Sequence, residues 1–484
     1  MAAFVWCGNA GSVDCLNAGP LALVLPLLKH LDFQGILDRL LPHDPQREYS
    51  HGQVLQALVA ARLCQPSALV NVETWADEVG YEFLGGVPAD KLNDDRLARA
   101  LDAFFDVRHS AMAALTAQAL ECTDLSLARL HFDPTVVTLT GAYESSRPRP
   151  ELLLGDAPMP SDAALDPAHL CHHHTTDDIA LQIGQVAIVD PLGAVPVFGH
   201  VLDGNRNHHP AIHQTFELLR QHLPLPPHLR LVSDRGTFSV EHLARLYRHD
   251  FEVLCAANWN EYRCLYETHA EQLVWQQASY LSVEQQRRRR VPSALPHEHY
   301  ELAVHKHHVT DPTNGQDIPV RLIFVYSTAD ERECRQRRQE QVATLQARLQ
   351  DLRARLSRGH PQCTPQTITK QVQRLLGNKE AARYFTWQIV ELTAAEQAAL
   401  PEPGSGHRRA RHRLEFHFDA AAAQAAERYD GLSVLVTTAA LSHSADQLFT
   451  EYKQQNYVEL LHHQNKTPLA VSPIFLKTPK RVEA

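Results

Sequence analysis

Three carboxylates carry the chemistry that this sequence could do. Asp133 ends the run Leu-Ala-Arg-Leu-His-Phe-Asp over 127–133, and Asp234 ends Leu-Arg-Leu-Val-Ser-Asp over 229–234. Both runs have the composition of strands. Glu459 falls in a stretch from Ser444 to Asn465 that reads as one helix. Carboxylates at strand ends of an α/β sheet sit where such sheets bind ligands. Three of them converging would hold two divalent cations as a clamp on a phosphodiester, and hard oxygen donors suit Mg²⁺ or Mn²⁺. Each residue also has a plainer reading. The chain has 56 acidic side chains, and an Asp closing a strand is more often a turn or cap residue.

The elements around these residues are predicted from periodicity. Residues 20–120 read as helical, with Val24, Leu27, Leu28 and Leu31 on one face and Pro26 tolerable only where a helix begins. Ser50 is placed to cap a second helix, and Asn93-Asp94-Asp95 opens a third. From residue 126 the texture becomes β-rich. Strands are predicted over 127–133, 136–140, 179–189, 195–201, 229–234 and 251–256, with helices over 211–223 and 239–248 and a loop over 144–170. Short β-like runs follow at 300–304 and 320–326. A long charged helix over 331–358 carries Leu345, Leu349, Leu352 and Leu356, and a second helical stretch over 364–398 would pair with it as a hairpin. Strand texture returns at 432–437. The α/β core is therefore interrupted by an insertion of roughly 160 residues.

Composition excludes several classes. At 44% hydrophobic and 21% charged residues the chain is globular, not disordered. No apolar run reaches the roughly 18–20 residues of a membrane span. The strongest, Leu21 to Leu28, contains Pro26 and has no basic stretch before it, so neither a membrane anchor nor a signal peptide is expected. Nine Cys without a C-x-x-C pair fit reduced thiols in a cytoplasmic protein. The net charge of −10 conceals an asymmetry. Residues 1–280 hold 18 basic and 34 acidic side chains, and residues 281–484 hold 28 and 22. Basic clusters stand at Arg287, Arg288, Arg289 and Arg290, along Arg332 to Arg358, and at Arg408, Arg409, Arg411 and Arg413. They read either as solvated faces or as a surface for a polyanion.

The motifs in order resemble a family. Tyr452-Lys-Gln-Gln-Asn-Tyr-Val-Glu459 through Lys466 is similar to the Y-x2-R-x3-E-x6-K signature of insertion-sequence-four-type DDE transposases, with Gln455 at the Arg position. His131-Phe-Asp133-Pro-Thr135 with Gly141-Ala-Tyr143 resembles the family's first Asp motif. Ser233-Asp234-Arg235-Gly236 resembles its D-R-G, and Gly204-Asn205 and Tyr429-Asp430-Gly431 resemble lesser family features. Gly52-Gln53 and Leu92-Asn-Asp-Asp-Arg-Leu97 are similar to the helical domain often fused ahead of such enzymes. The likeness runs over about residues 20–484. Two departures stand beside Gln455. A basic segment of the family is replaced by Cys171-His172-His173-His174, a run that could hold Zn²⁺ or Ni²⁺ but reads better as solvated, and the chain stops at Ala484 where relatives continue.

The resemblance implies an α/β fold. An all-helical N-terminal domain (1–125) would precede an RNase H-like core, a mixed sheet with flanking helices, in two parts (126–262 and 425–484). An inserted domain with β-runs and a helical hairpin (263–424) would separate them. It implies a DNA transposase in which Asp133, Asp234 and Glu459 bind two Mg²⁺ or Mn²⁺, cleave the strand at the element's ends and transfer it to target DNA. Tyr452, Gln455 and Lys466 would contact phosphates near the cut, with Arg287–Arg290 and Arg408–Arg413 holding DNA elsewhere. The implied partners are double-stranded DNA, as terminal inverted repeats and target, and further copies of the chain on that DNA, with no membrane. The alternatives are a metal-dependent nuclease that does not join strands and a decayed or truncated transposase that binds DNA without catalysis.

Overall fold

The structure is a computed structural model, described over residues 16, 18–141, 143, 146–149, 162–173, 178–190, 193–206, 208–282, 285, 298–358, 364–377, 379–400, 409–471, 474 and 476–484. It divides into two units. The first comprises 1–261, 305–323 and 435–484, and the second 262–304 and 324–434.

Among the described residues the first unit opens with seven α-helices: α1 (Leu21–His30), α2 (Phe33–Leu40), α3 (His51–Cys64), α4 (Val72–Val79), α5 (Tyr81–Gly85), α6 (Asp94–Phe105) and α7 (Arg108–Glu121). Helix starts follow side-chain caps. Ser50 Oγ accepts from Gln53 N, and the Gln53 amide oxygen accepts in return from Ser50 N. Asn93 accepts from Arg96 N at 3.0 Å. Pro26 corrects its expectation, because it lies inside α1 and not at its start. The carbonyl left without a donor belongs to Ala22, an exposed residue whose carbonyl water can satisfy. Leu21, Leu37, Trp75, Tyr81 and Leu97 form the core of this bundle.

The sheet of the first unit contains β1 (Arg129–Thr138), β2 (Cys171–His172), β3 (Ile179–Asp190), β4 (Gly193–Asp203), β5 (Arg230–Ser233) and β6 (Glu252–Ala256). Helices α8 (His208–His222) and α9 (Val240–Arg248) connect β4 to β5 and β5 to β6. β4, β3 and β1 form an antiparallel meander, with β2 beside β4 on the same edge of β3. β5 and β6 then add in parallel on the other side of β1. Leu130 and Phe132 of β1 point into a core with Val186, Phe198, Phe216 and Leu231, which Ala113 of α7 also joins. The alternate residues His131, Asp133 and Thr135 therefore face the opposite side.

The chain enters the second unit through α10 (Trp259–His269). Strand β7 (Gln276–Gln277) pairs with the base of β8 (Tyr300–Thr310), whose hairpin partner is β9 (Asp317–Ser327). Helix α11 (Thr328–Ser357) buries Leu345, Leu349, Leu352 and Leu356, as their spacing requires. The expected second helix is half right. Helix α12 (Pro365–Leu376) ends early, and β10 (Phe385–Glu391) pairs antiparallel with β11 (His412–Phe418). The alternation Phe385, Trp387, Ile389 is a period of two, and it wins over the helical reading. After α13 (Ala394–Ala399) and α14 (Ala420–Ala426), β12 (Leu432–Thr437) returns to the first unit, where Leu435–Thr437 pair antiparallel with β6. The end of the chain is α15 (Ala445–Lys453), α16 (Gln455–Lys466) and α17 (Pro479–Glu483). The single helix expected over 444–465 is thus two, broken at Gln454, whose N–H is shared between the carbonyls of Thr450 and Glu451.

Candidate active site

The parallel register of β1 and β5 pairs Arg129 with Arg230 and Phe132 with Ser233. One step further stand Asp133, still within β1, and Asp234, just past the end of β5, so the register brings the two next to each other. Adjacent strands lie about 4.8 Å apart, so the two residues lie close together.

Two helices bring the remaining residues to that edge. α15 is tied down by Glu451, whose carboxylate lies 2.8 Å from Arg230 of β5 and 3.4 Å from Arg129 of β1. Arg230 also pairs with Glu252 at 2.7 Å, so this guanidinium, 7% exposed, is fully matched by carboxylates. Removing one partner of such a buried pair costs about 3–5 kcal/mol. α16 is held by Val458 and Leu461, packed on Ala187 and Val189 of β3. Each contributes about 1.5–3 kcal/mol of burial.

Gln455 adds a polar clamp. His131 Nδ1 donates to its amide oxygen at 2.8 Å, and its amide nitrogen donates to the Phe132 carbonyl at 3.3 Å. Burial pushes the His131 imidazole down to about 4, the Gln455 bond offsetting only part of that, so the ring is neutral. The expectation that Gln455 reaches DNA is corrected here, since its side chain is buried and both ends of the amide are engaged.

Gln455, Glu459, His462 and Lys466 follow at i, i+4, i+7 and i+11 and share one stripe of α16. His462 stands with Nε2 3.1 Å from Asp133 Oδ2, at an angle too oblique for a hydrogen bond. Burial lowers the Lys466 ammonium and the charge of Asp133 pulls it back up, which sets Lys466 in the field of that carboxylate. Tyr452, at the end of α15, has its hydroxyl pushed up to about 12, first by burial and then by the charge of Asp234, with Glu459 adding to it. Glu459 itself is exposed.

Asp133, Asp234, Glu459, Tyr452 and Lys466 thus gather around the end of β5. Among the described residues, however, no three His, Cys, Asp or Glu side chains are grouped to hold a metal ion. The donor chemistry of the Asp133–Asp234 pair fits a hard divalent cation, while the complete three-carboxylate set is not assembled. Sequence reasoning missed the supports of the site: His131, Arg230, Glu451 and His462. Only His131 carried a signal, as the neighbour on the same face of the strand two residues before Asp133.

The basic clusters fare differently. Arg287–Arg290 and Arg408 lie outside the described residues. Arg409 and Arg411 are exposed, and Arg413 is paired with Glu415 at 2.6 Å and Glu396 at 3.6 Å. Of the His run, His172 is exposed, His173 is buried, and His174 lies outside the described residues. No described helix is long and apolar enough to cross a membrane.

Comparison with known proteins adds little to this geometry. No curated protein matches the sequence. Among solved structures the chain is similar to the piggyBac transposase in the cryo-EM structure of its synaptic complex with hairpin DNA, at 10% identity and a TM-score of 0.28. That alignment covers 64% of this chain and 58% of the other, so the chain spans less than two thirds of that protein. Residues 14–117, most of the helical front, match a domain of unknown function, DUF4277.

Proposed function

We propose that this chain is a DNA transposase of the DDE type, built on an RNase H-like core and acting by metal-dependent phosphodiester cleavage followed by strand transfer. The observation that carries the reading is the β1–β5 register. It brings Asp133 next to Asp234, and the α16 stripe bearing Glu459 is tied to β1 by Gln455, with His462 lying against Asp133. The order β4-β3-β1-β5-β6, three antiparallel strands and then two parallel, is compatible with the RNase H-like core that the motifs imply.

Asp133, Asp234 and Glu459 are the residues that would hold Mg²⁺ or Mn²⁺. When bound, such ions supply Lewis acidity at the scissile phosphate and a nucleophilic water at neutral pH. The chain's own groups do the rest. The Tyr452 hydroxyl, kept protonated by its surroundings, donates to a phosphate oxygen. Lys466 adds a point charge beside Asp133 against the phosphodiester's own charge. Gln455 and His131 fix the angle at which α16 presents Glu459, and Glu451 does the same for α15. DNA backbone approaches the exposed Arg409 and Arg411 of the second unit.

The test is a joining assay with duplex DNA carrying the element's ends and a supercoiled target. Metal-dependent cleavage with joined products supports a transposase. Cleavage without joining would move the reading to a nuclease. The second alternative, a decayed transposase that binds DNA without cutting, has one observation on its side: no three donors are grouped among the described residues. DNA binding with no cleavage in Mg²⁺ or Mn²⁺ would decide for it.

A further inference from the structure

Tyr429-Asp430-Gly431 has no part in the site above. It lies in the second unit, against a separate cavity of about 310 Å³, at the small end of the range of ligand pockets, about 300–1,000 Å³. Three aromatic side chains line that cavity: Tyr266, Trp275 and Tyr326. Four carboxylates join them, from Glu301, Glu331, Glu427 and Asp430. Among the described lining residues the one cation, Arg428, is engaged elsewhere. Its guanidinium lies over the Tyr429 ring at 4.5 Å and pairs with Glu267 at 3.2 Å.

Asp430 is the most deeply buried of these carboxylates. Gly431 follows it with φ +76°, and a Cβ there would come within 2.5 Å of the Ser327 carbonyl, so only glycine lets the chain run this close to β9. Ser327 N donates to Gly431 O at 3.0 Å and fixes the turn. The Asp430 side chain is 5% exposed. Its Oδ1 accepts from Arg338, and its Oδ2 is buried with no hydrogen-bond partner. A buried carboxylate oxygen left unmatched is costly, and a donor arriving in the cavity would relieve it. Glu331 is already oriented, by the Tyr326 hydroxyl at 2.7 Å and Arg335 at 2.7 Å. The Tyr326 hydroxyl is pushed up to about 12 by burial and by Glu331 and Glu301, so it stays a neutral donor.

We infer that this cavity is a binding site for an alkylammonium group. Aromatic faces attract a cation, the carboxylates match its charge, and Asp430 Oδ2 requires an N–H. That last requirement selects a primary or secondary ammonium over a quaternary one. The same chemistry is offered by a free polyamine and by a lysine side chain of a partner protein. The inference does not depend on the cleavage reaction, which lies in the other unit.

The experiment is calorimetric titration of the full chain with butylammonium, putrescine, tetramethylammonium and an N-acetylated, C-amidated lysine, using butanol as the uncharged control. Butylammonium is expected to saturate one site. Tetramethylammonium is expected to bind at least about tenfold more weakly, for want of one charge-assisted hydrogen bond. Trp275→Ala and Glu301→Gln, both at half-exposed positions, should each weaken butylammonium by about fivefold or more. They keep the test open where Asp430→Asn, by unpairing Arg338, fails to fold. Stronger binding of putrescine than of the capped lysine assigns a free polyamine as the ligand, and the reverse assigns a side chain. No saturable binding of butylammonium to folded protein would overturn the site. So would equal affinity for tetramethylammonium, or binding that Trp275→Ala leaves unchanged.

Discussion

Gln455→Arg restores the residue that the resembled signature carries, and the structure predicts that it harms the protein. Gln455 is 7% exposed and fills a slot between α16 and β1. Its amide oxygen is the acceptor for His131 Nδ1, in a ring that burial keeps neutral. Arginine has no acceptor, so the substitution leaves a buried N–H unmatched, at about 1–3 kcal/mol. It also brings a permanent charge into a slot closed to water, which makes the total at least about 3 kcal/mol. The loss should appear locally, as hydrogen exchange of α16 amides faster by roughly a hundredfold. Gln455→Leu should lose about 2 kcal/mol, and His131→Phe with Gln455→Leu should recover much of it, because replacing both partners of a hydrogen bond is nearly neutral. If the Arg variant keeps wild-type protection in α16 and binds DNA more tightly, Gln455 is a phosphate contact after all and the clamp is wrong.

Three further outcomes follow from the same geometry. His131 has a folded pKa of about 4 against 6.5, so between those values the unfolded chain binds more protons. Stability is then full above pH 6.5 and falls by about 3 kcal/mol as the pH drops to 4, a slope that denaturant titrations should find flattened in His131→Phe. Glu483 is buried against Arg108 at 2.7 Å and against Arg149, and Ala168 N donates to it at 2.6 Å. Glu483→Ala should therefore cost about 3–5 kcal/mol in thermal or chemical unfolding. Arg411→Glu should weaken duplex DNA binding across sequences and reduce the steepness of its salt dependence by about one to two, while Arg413→Glu, starting from a residue already paired with Glu415, should do less.

The legible parts of this chain were those with a local cause. Ser50 and Asn93 announced their helices because a cap acts within three residues. Leu345 to Leu356 announced theirs because one face had to be buried. Asp234 could be singled out as a strand end, but Asp133 lies within β1, which runs unbroken through both strands expected over 127–133 and 136–140. The adjacency of Asp133 and Asp234 depends on a β1–β5 pairing across about 100 residues of chain, and sequence spacing does not encode it. Gln455 was misread for a related reason. In the sequence it occupies a register position on a helix, and only the packing of α16 on β1 turns it inward towards His131. The break at Gln454 was invisible because neither a Pro nor a Gly marks it. β10 was hidden by its helical neighbour α12, although Phe385, Trp387 and Ile389 alternate as a strand does.

In the proposed reaction Asp133, Asp234 and Glu459 cut DNA together. The most direct measurement is single-turnover cleavage of duplex DNA bearing the element's ends, in Mg²⁺ and in Mn²⁺, by wild type and by Asp133→Asn, Asp234→Asn and Glu459→Gln, each shown to be folded and to bind DNA. Wild type is expected to nick in a metal-dependent way and each variant to lose at least about a thousandfold, the scale expected when a group that stabilises the transition state is removed. Nicking by Glu459→Gln at the wild-type rate, with either Asp variant inactive, would contradict the proposed reaction, because the α16 stripe would then have no part in the chemistry.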